Sequence, residues 1–496
     1  MELDRRRFLQ VAALGAAALA LPGFGRAGTV DEAARFDAGL ARYPWLVGWQ
    51  DAPVLDGRAQ TLAVEGRVPT GLVGTLYRNG PGRFSRAGRR YGHWFDGDGL
   101  MQAWRVDARG VSHRARFVDT PKFQREQAVG RFVRAAAGTR IEDAEAIRNS
   151  DDLNTANTAV IAHAGSLFAL WEGGSATMLE PETLRSQGAK TWGTDLESVP
   201  FSAHPIVDRD GTLWNFGLSG EQLLIWQIGA NGVLREVRTI KLPYPGYLHA
   251  FSMTDRHLAF VVLPYVLEGA PGDSSFFEAL KWRPQRGCRA LVVDKDLGRQ
   301  RWFGLPAGAA YHYGPAMQRG DELILQACWG SDGESLRSPF ASEMRGVPKR
   351  VASDSHLLQI ALNLKRGGVR VQTVADRRID FPDWDTRQPT GAMFALAGGD
   401  NEHGYFDAVC AIDPDRGETQ RYHYGDGVMV EEHRFVAAPR ARRPTQGWLL
   451  GTVLDYRRRR TGLSMLDAEN LAAGPQAMAW LPNTLPLGFH GWFDRA

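Results

Sequence analysis

The chain has 496 residues, 44% of them hydrophobic and 23% charged, the proportions of a soluble globular protein. A net charge of +3 over this length excludes a dedicated basic nucleic-acid surface. Three widely separated cysteines, Cys288, Cys328 and Cys410, exclude a disulfide framework, a CxxC metal ribbon and c-type haem attachment.

The first segment reads as an address. Arg5-Arg-Arg-Phe-Leu9 precedes an alanine-rich apolar stretch that runs to Phe24. Charged start, mild hydrophobicity and small residues before a cut match a twin-arginine export signal, with cleavage expected after Ala27. Phe8–Phe24 is 17 residues and contains Gln10, two glycines and a proline. That is short for a membrane anchor, which needs about 20 apolar residues. The twin-arginine machinery exports proteins already folded, so this signal hints at a cofactor loaded before transport. A periplasmic or exported location is expected for residues 28–496, with a net charge of +1 and the organisation of a single domain.

Beyond the signal, short β-rich runs alternate with turn residues. Leu167–Trp171, Leu258–Leu263, Ala290–Val293, Glu322–Cys328 and Trp448–Tyr456 read as strands. Asp96-Gly97-Asp98-Gly99, Asp210-Gly211, Asn231-Gly232 and Asp332-Gly333 read as turns between such strands. Few stretches have helical periodicity, so the expected class is all-β: a sandwich, barrel or propeller. One sandwich holds roughly 100 residues, and no linker divides this chain, so one large propeller is the economical reading. No strict repeat fixes a blade number. The clusters Arg440–Arg443 and Arg457–Arg460 read as solvated loops, the second as a hairpin tip.

Twelve histidines contain no HxH, HxxxH or HExxH pair, so no local metal motif exists. Four of them stand out by context. His204 lies in Phe201-Ser-Ala-His-Pro205, His249 in Tyr247-Leu-His-Ala-Phe251, His312 in Tyr311-His-Tyr-Gly314 and His490 in Gly488-Phe-His-Gly491. Each sits at a strand start or a Gly/Pro turn, where inner propeller strands begin at the axis.

Several ordered stretches together resemble the carotenoid cleavage oxygenase family. They are Gly74-Thr-Leu-Tyr-Arg-Asn-Gly-Pro-Gly-Arg-Phe84, His93-Trp-Phe-Asp-Gly-Asp-Gly-Leu-Met101, Asn154-Thr-Ala-Asn157, Leu167–Gly174, Trp282-Arg-Pro284 and Leu481–Gly491. The resemblance runs from about residue 40 to the end. It implies a seven-bladed β-propeller with a cap of loops and short helices over its top face. It further implies one Fe(II) on the axis, held by His204, His249, His312 and His490, and O₂-dependent cleavage of a C=C bond into two carbonyl products.

Imidazole suits Fe(II), and four ligands leave two positions open on an octahedral ion. The family orients its histidines with three carboxylates, which fall here on Glu172, Asp380 and Glu432. Asp380 stands where the family usually has Glu. One methylene shorter, it is expected to reach its histidine only if the strand shifts or a water bridges. Ala250 after the second histidine and Gln318 after the third also depart from the family pattern, which weakens any substrate assignment. Stilbene-cleaving relatives tend to carry Lys where this chain has Trp171, so an apolar carotenoid or apocarotenoid is favoured over a stilbene. His93 is read as structural or substrate-proximal. Asp96 and Asp98 supply too few oxygens for Ca²⁺ and are read as a tight turn. Val266–Ala279, with Phe276 and Phe277, is a candidate for peripheral membrane contact, with a packed cap segment as the equal alternative. A non-catalytic, lipid-binding exported propeller and an isomerohydrolase remain the rival readings.

Overall fold

The computed structural model describes residues 31–269, 275–331, 333, 340–349, 355–375, 377–388 and 391–495. The segment expected to be an export signal lies outside the described residues. Among them, seven antiparallel sheets of four to six strands follow one another along the chain, with a separate two-stranded ribbon. The architecture is a seven-bladed β-propeller. The strands expected from sequence are present with ends moved by a few residues: Ser166–Leu170, His257–Leu267, Cys288–Asp294, Glu322–Trp329 and Gly447–Asp455.

Turn chemistry sets the registers. In the third blade Leu213–Ser219 pairs with Gln222–Ile228, Ser219 opposite Gln222. The two-residue connection Gly220-Glu221 opens on a glycine at φ +57°, a conformation that tight hairpins require. Packing between blades supplies the core. Trp214, Phe216 and Ile225 of the third blade interdigitate with Leu258, Phe260 and Leu291 of the fourth, all nearly inaccessible. Arg457–Arg459 do form the turn of the hairpin Gly447–Asp455/Arg460–Asp467.

Both chain ends close the ring. Ala63–Gly66 pairs with Pro475–Trp480 of the seventh blade, while Gly491–Arg495 pairs with Gly74–Arg83 of the first. The first and last sequence motifs therefore meet in space. A Cβ on Gly80 would lie 2.2 Å from the Gly488 Cα, so backbone presses on backbone and only glycine fits. The Asn79 amide donates to the carbonyls of Ala156 and Ala159, at 2.9 and 2.8 Å, and Asn157 donates to Phe95 and Gly97, at 2.8 and 2.7 Å. The polar motif residues are thus clamps that satisfy loop carbonyls near the axis.

Short helices and loops cover one face: Glu32–Arg42, Pro121–Val129, Phe276–Ala279 and Ala341–Met344. On the inner side of the second of them, Lys122 is fully buried, with Asp98 at 2.8 Å and Glu126, one turn on, at 3.0 Å. Asp96 accepts from Gly138 N at 2.8 Å and Thr139 Oγ1 at 2.5 Å. Both aspartates of the Asp-Gly-Asp-Gly turn are therefore engaged by protein donors. The three cysteines are buried and free. No described helix is long and apolar enough to cross a membrane.

Candidate metal centre

Each of the four singled-out histidines stands just ahead of, or beside, an innermost strand. His204 precedes Ile206–Val207, His249 lies between Gly246–Tyr247 and Phe251–Met253, His312 precedes Met317–Arg319, and His490 precedes Gly491–Arg495. Four blades thereby deliver four imidazoles to one point. One ring nitrogen of each lies within 4.8 Å of the others, and all but His204 are buried. Nε2 of His204 and Nε2 of His249 are 2.8 Å apart, and Nε2 of His312 and His490 are 3.2 Å apart.

The outward nitrogens explain why those Nε2 atoms can converge. His249 Nδ1 donates to Glu172 Oε1. His312 Nδ1 donates to Asp380 Oδ1 at 2.6 Å, and His490 Nδ1 donates to Glu432 Oε1 at 2.9 Å. A carboxylate only accepts, so it fixes the proton on Nδ1 and leaves the inward Nε2 a bare lone pair. Among the described residues no carboxylate holds His204. Burial, reinforced by the three neighbouring rings, pushes His204 well below the usual histidine range. Burial brings His490 down to about 4, despite Glu432. Neutral lone pairs facing one another at these distances repel unless a cation lies among them, so this donor set fits a metal ion.

Asp380 reaches its histidine directly, without a bridging water, from a strand that is irregular at that point. The register of Ile379–Trp384 against its neighbour slips between Asp380 and Asp383. Phe381 sits at φ +53°, a conformation that costs a non-glycine residue about 1 kcal/mol or more. The same distortion lays the Phe381 ring against His312 and His490, with centroids at 4.7 and 5.2 Å. His312, whose Nδ1 donates to it, and the Phe381 amide hold the Asp380 carboxyl below its usual range although burial opposes this.

The histidines and carboxylates were visible in sequence, but three of their supports were not. Arg78, 1% exposed, donates to Glu432 at 3.0 Å and Glu431 at 3.4 Å. Arg434 bridges Asp383 at 3.1 Å and Glu432 at 3.7 Å. Burial alone would raise Glu432, yet His490, Arg434 and Arg78 outweigh it and hold the carboxyl at about 2. Tyr247 donates its hydroxyl to Glu172, 3.0 Å from Oε2. Arg78 lies inside the motif Gly74–Phe84, Arg434 two residues after Glu432 and Tyr247 two before His249; these positions were the available signal.

His249, His312 and His490 form the floor of a cavity of about 1110 Å³ beneath the cap. Its walls include Trp94, Phe95, Trp171, Phe276, Phe277, Tyr311, Phe381 and Phe489. His93 takes no part in the histidine cluster. It caps the short helix Trp94–Asp96 and stacks on Phe277 with ring centroids 4.3 Å apart. Phe277 is buried and Phe276 partly so, both turned into the cavity wall, which is the packed alternative for this segment; residues 270–274 of the same stretch lie outside the described residues.

The family model described as retinal pigment epithelial membrane protein, RPE65, matches residues 52–495. The chain belongs to the RPE65 and carotenoid cleavage oxygenase family. Among curated members it is 27% identical to the apocarotenoid-15,15'-oxygenase of Synechocystis, over 90% of this chain and 95% of that one. It is 25% identical to the isoeugenol monooxygenase of Pseudomonas putida, over 90% and 97%. With the resveratrol cleavage oxygenase 1 of Aspergillus fumigatus it shares 24% over 91% and 95%. A solved structure of cobalt-substituted Synechocystis apocarotenoid oxygenase superimposes with a TM-score of 0.83 at 25% identity, covering 91% of this chain and 98% of that one.

Proposed function

We propose that this chain is an Fe(II)-dependent dioxygenase that cleaves a C=C bond of a carotenoid or apocarotenoid with O₂ to give two carbonyl products. The observation that carries the reading is the four-imidazole cluster, three of its rings with their protons pinned outward by carboxylates, at the floor of an aromatic cavity large enough for a conjugated chain. Nε2 of His204, His249, His312 and His490 would hold the metal. When bound, the iron supplies O₂ activation at the open coordination positions. The remaining work belongs to the protein. Glu172, Asp380 and Glu432 keep the three imidazoles neutral and aimed. Arg78, Arg434 and Tyr247 hold those carboxylates. Phe381, Trp171 and Tyr311 exclude water and present apolar surfaces on which a flat polyene can lie.

Trp171, beside Glu172 on the cavity wall, supports the apolar substrate over the phenolic one. The isoeugenol and resveratrol oxygenases among the relatives support the second reading, a styrene- or stilbene-type substrate. Metal analysis of anaerobically purified protein tests the centre: about one iron per chain, lost in His312→Ala, is expected. Folded protein that carries no iron and yields no carbonyl product from apocarotenoids or stilbenes under O₂ overturns the reading in favour of a binding propeller.

We further propose that residues 1–27 direct twin-arginine export to the periplasm, leaving 28–496 as one propeller domain. N-terminal sequencing of periplasmic protein tests the cut after Ala27. Peripheral membrane contact near the cavity mouth is supported by Leu267, which is 40% exposed and lines the cavity. Sedimentation with liposomes, lost in Leu267→Ser, is the expected result.

A further inference from the structure

Among the described residues Arg90 leans on backbone and hydroxyl acceptors, with Asp51 4.0 Å away, while several other arginines inside the fold have a closer carboxylate. Arg78, Arg86 and Arg434 each have one within 3.1 Å. Arg378 lines the cavity, deep enough that burial pulls its guanidinium below the usual arginine range. Among the described residues no carboxylate lies within 4 Å of it. Its Nη1 donates to the Gly404 carbonyl at 2.5 Å, and its guanidinium lies over the Phe406 ring at 4.6 Å. A guanidinium has five N–H donors, so most are left over. None of its nitrogens is among the buried polar atoms without a partner, so the spare donors face open space.

Asp380, Asp400 and Asp407 act on Arg378 through charge, and two of the three are held by other donors. Asp380 serves His312 at 2.6 Å and the Phe381 amide at 2.8 Å. Asp407 serves Asn401 at 2.6 Å and His423 at 3.3 Å. A guanidinium with no carboxylate in hydrogen-bond reach among the described residues, its spare forked donors turned to an aromatic cavity, suits a ligand that brings its own anion. Arg378 is also set back from the histidines. Its partner Phe406 packs on Phe381 with centroids 6.1 Å apart, and Phe381 in turn covers His312 and His490. An oxygen held by Arg378 would therefore leave the middle of the ligand over the imidazoles.

We propose that Arg378 is a specificity-determining residue that binds a carboxylate at one end of the substrate, so that the preferred substrate is an acid-terminated conjugated chain. The conjugated body of that ligand rests on the oxygenase reading above; the anion site does not. The test is binding of cis-parinaric acid, a fluorescent conjugated tetraene, against its methyl ester, with metal-loaded full-length protein under anaerobic conditions. The acid binds at least tenfold tighter than the ester, Arg378→Met abolishes the difference, Arg378→Lys retains part of it, and metal content is equal in all three proteins. Turnover follows the same split: Arg378→Met raises KM for an acid-terminated apocarotenoid more than tenfold and leaves that for the hydrocarbon-ended analogue within twofold. Equal binding of acid and ester by the unsubstituted protein overturns the proposal, as does an acid preference that survives in Arg378→Met. If the preference is found but no substrate is cleaved under O₂, the oxygenase reading fails and the anion site stands.

Discussion

Replacing Arg78 with methionine removes a cation that holds two carboxylates in a water-free site. Its side chain and those of Glu431 and Glu432 are each no more than 4% exposed, so solvent cannot take over the lost charge. Breaking a buried ion pair by deleting one partner costs about 3–5 kcal/mol, because the other charge stays buried and uncompensated. Arg434 keeps part of the balancing charge at Glu432, so the loss falls most heavily on Glu431. Glu431 keeps the Gly488 amide as a donor but has no second cation within 4 Å among the described residues. For 496 residues, about 2.1 cal/mol/K per residue gives an unfolding entropy near 1 kcal/mol/K, so the melting temperature should fall by ~3–5 °C. The second readout is metal. With Glu432 less firmly held, His490 loses its fixed orientation, and affinity for Co(II) should drop by ~10–100-fold. Scanning calorimetry and anaerobic Co(II) titration measure the two effects, and Arg78→Met/Glu431→Gln should recover part of the thermal loss. A melting shift below 1 °C with unchanged Co(II) affinity would refute the claim that this pair supports the centre.

The other expectations concern separate parts of the molecule. Asp380→Ala, which removes the acceptor from His312 Nδ1, should weaken metal binding by ~10–100-fold without abolishing it, whereas His249→Ala should abolish it; metal content after dialysis separates the two. Lys122→Met leaves Arg86 as the remaining cation for Asp98 and Glu126 and should destabilise the chain by about 3 kcal/mol while leaving metal content intact, as read by denaturation and metal analysis. Burial depresses His113 to about 3 and His403 and His433 to about 4, so the unfolded chain binds more protons as pH falls below 6.5. Each should contribute stability that is complete above that pH and diminishes by about 1.4 kcal/mol at pH 5.5, giving a melting temperature that falls steadily from pH 7 to 5; a flat profile would contradict their burial in the neutral form.

The positions of the four histidines were legible because the residues around them are dictated by backbone geometry. Gly80 must be glycine to lie against Gly488, and Asn79 must be an amide to reach two carbonyls, so the motifs survive as recognisable strings. Strand existence was legible for a related reason: alternating or continuous apolar runs between glycine turns have few other folded solutions. Blade number was not, because neighbouring blades share a core through shape rather than through repeated residues.

Asp380 marks the boundary between what a sequence carries and what only packing decides. As a type, it is a carboxylate in the right order along the chain, and that much is readable. Whether it reaches His312 depends on the register slip before Asp383 and on the positive φ of Phe381, neither of which has a signature in Ile379-Asp-Phe-Pro382. The strain at Phe381 is sustained because its ring is caught among Phe406, His312 and His490. The short acid and the displaced ring are then one adaptation. A glutamate at 380 would carry its carboxyl about 1.5 Å further and could not keep the same oxygen on His312 Nδ1 without moving one of them. The acid on His312 and the ring on the cavity wall are thus neighbours on one irregular strand, and a change at either is felt at the other.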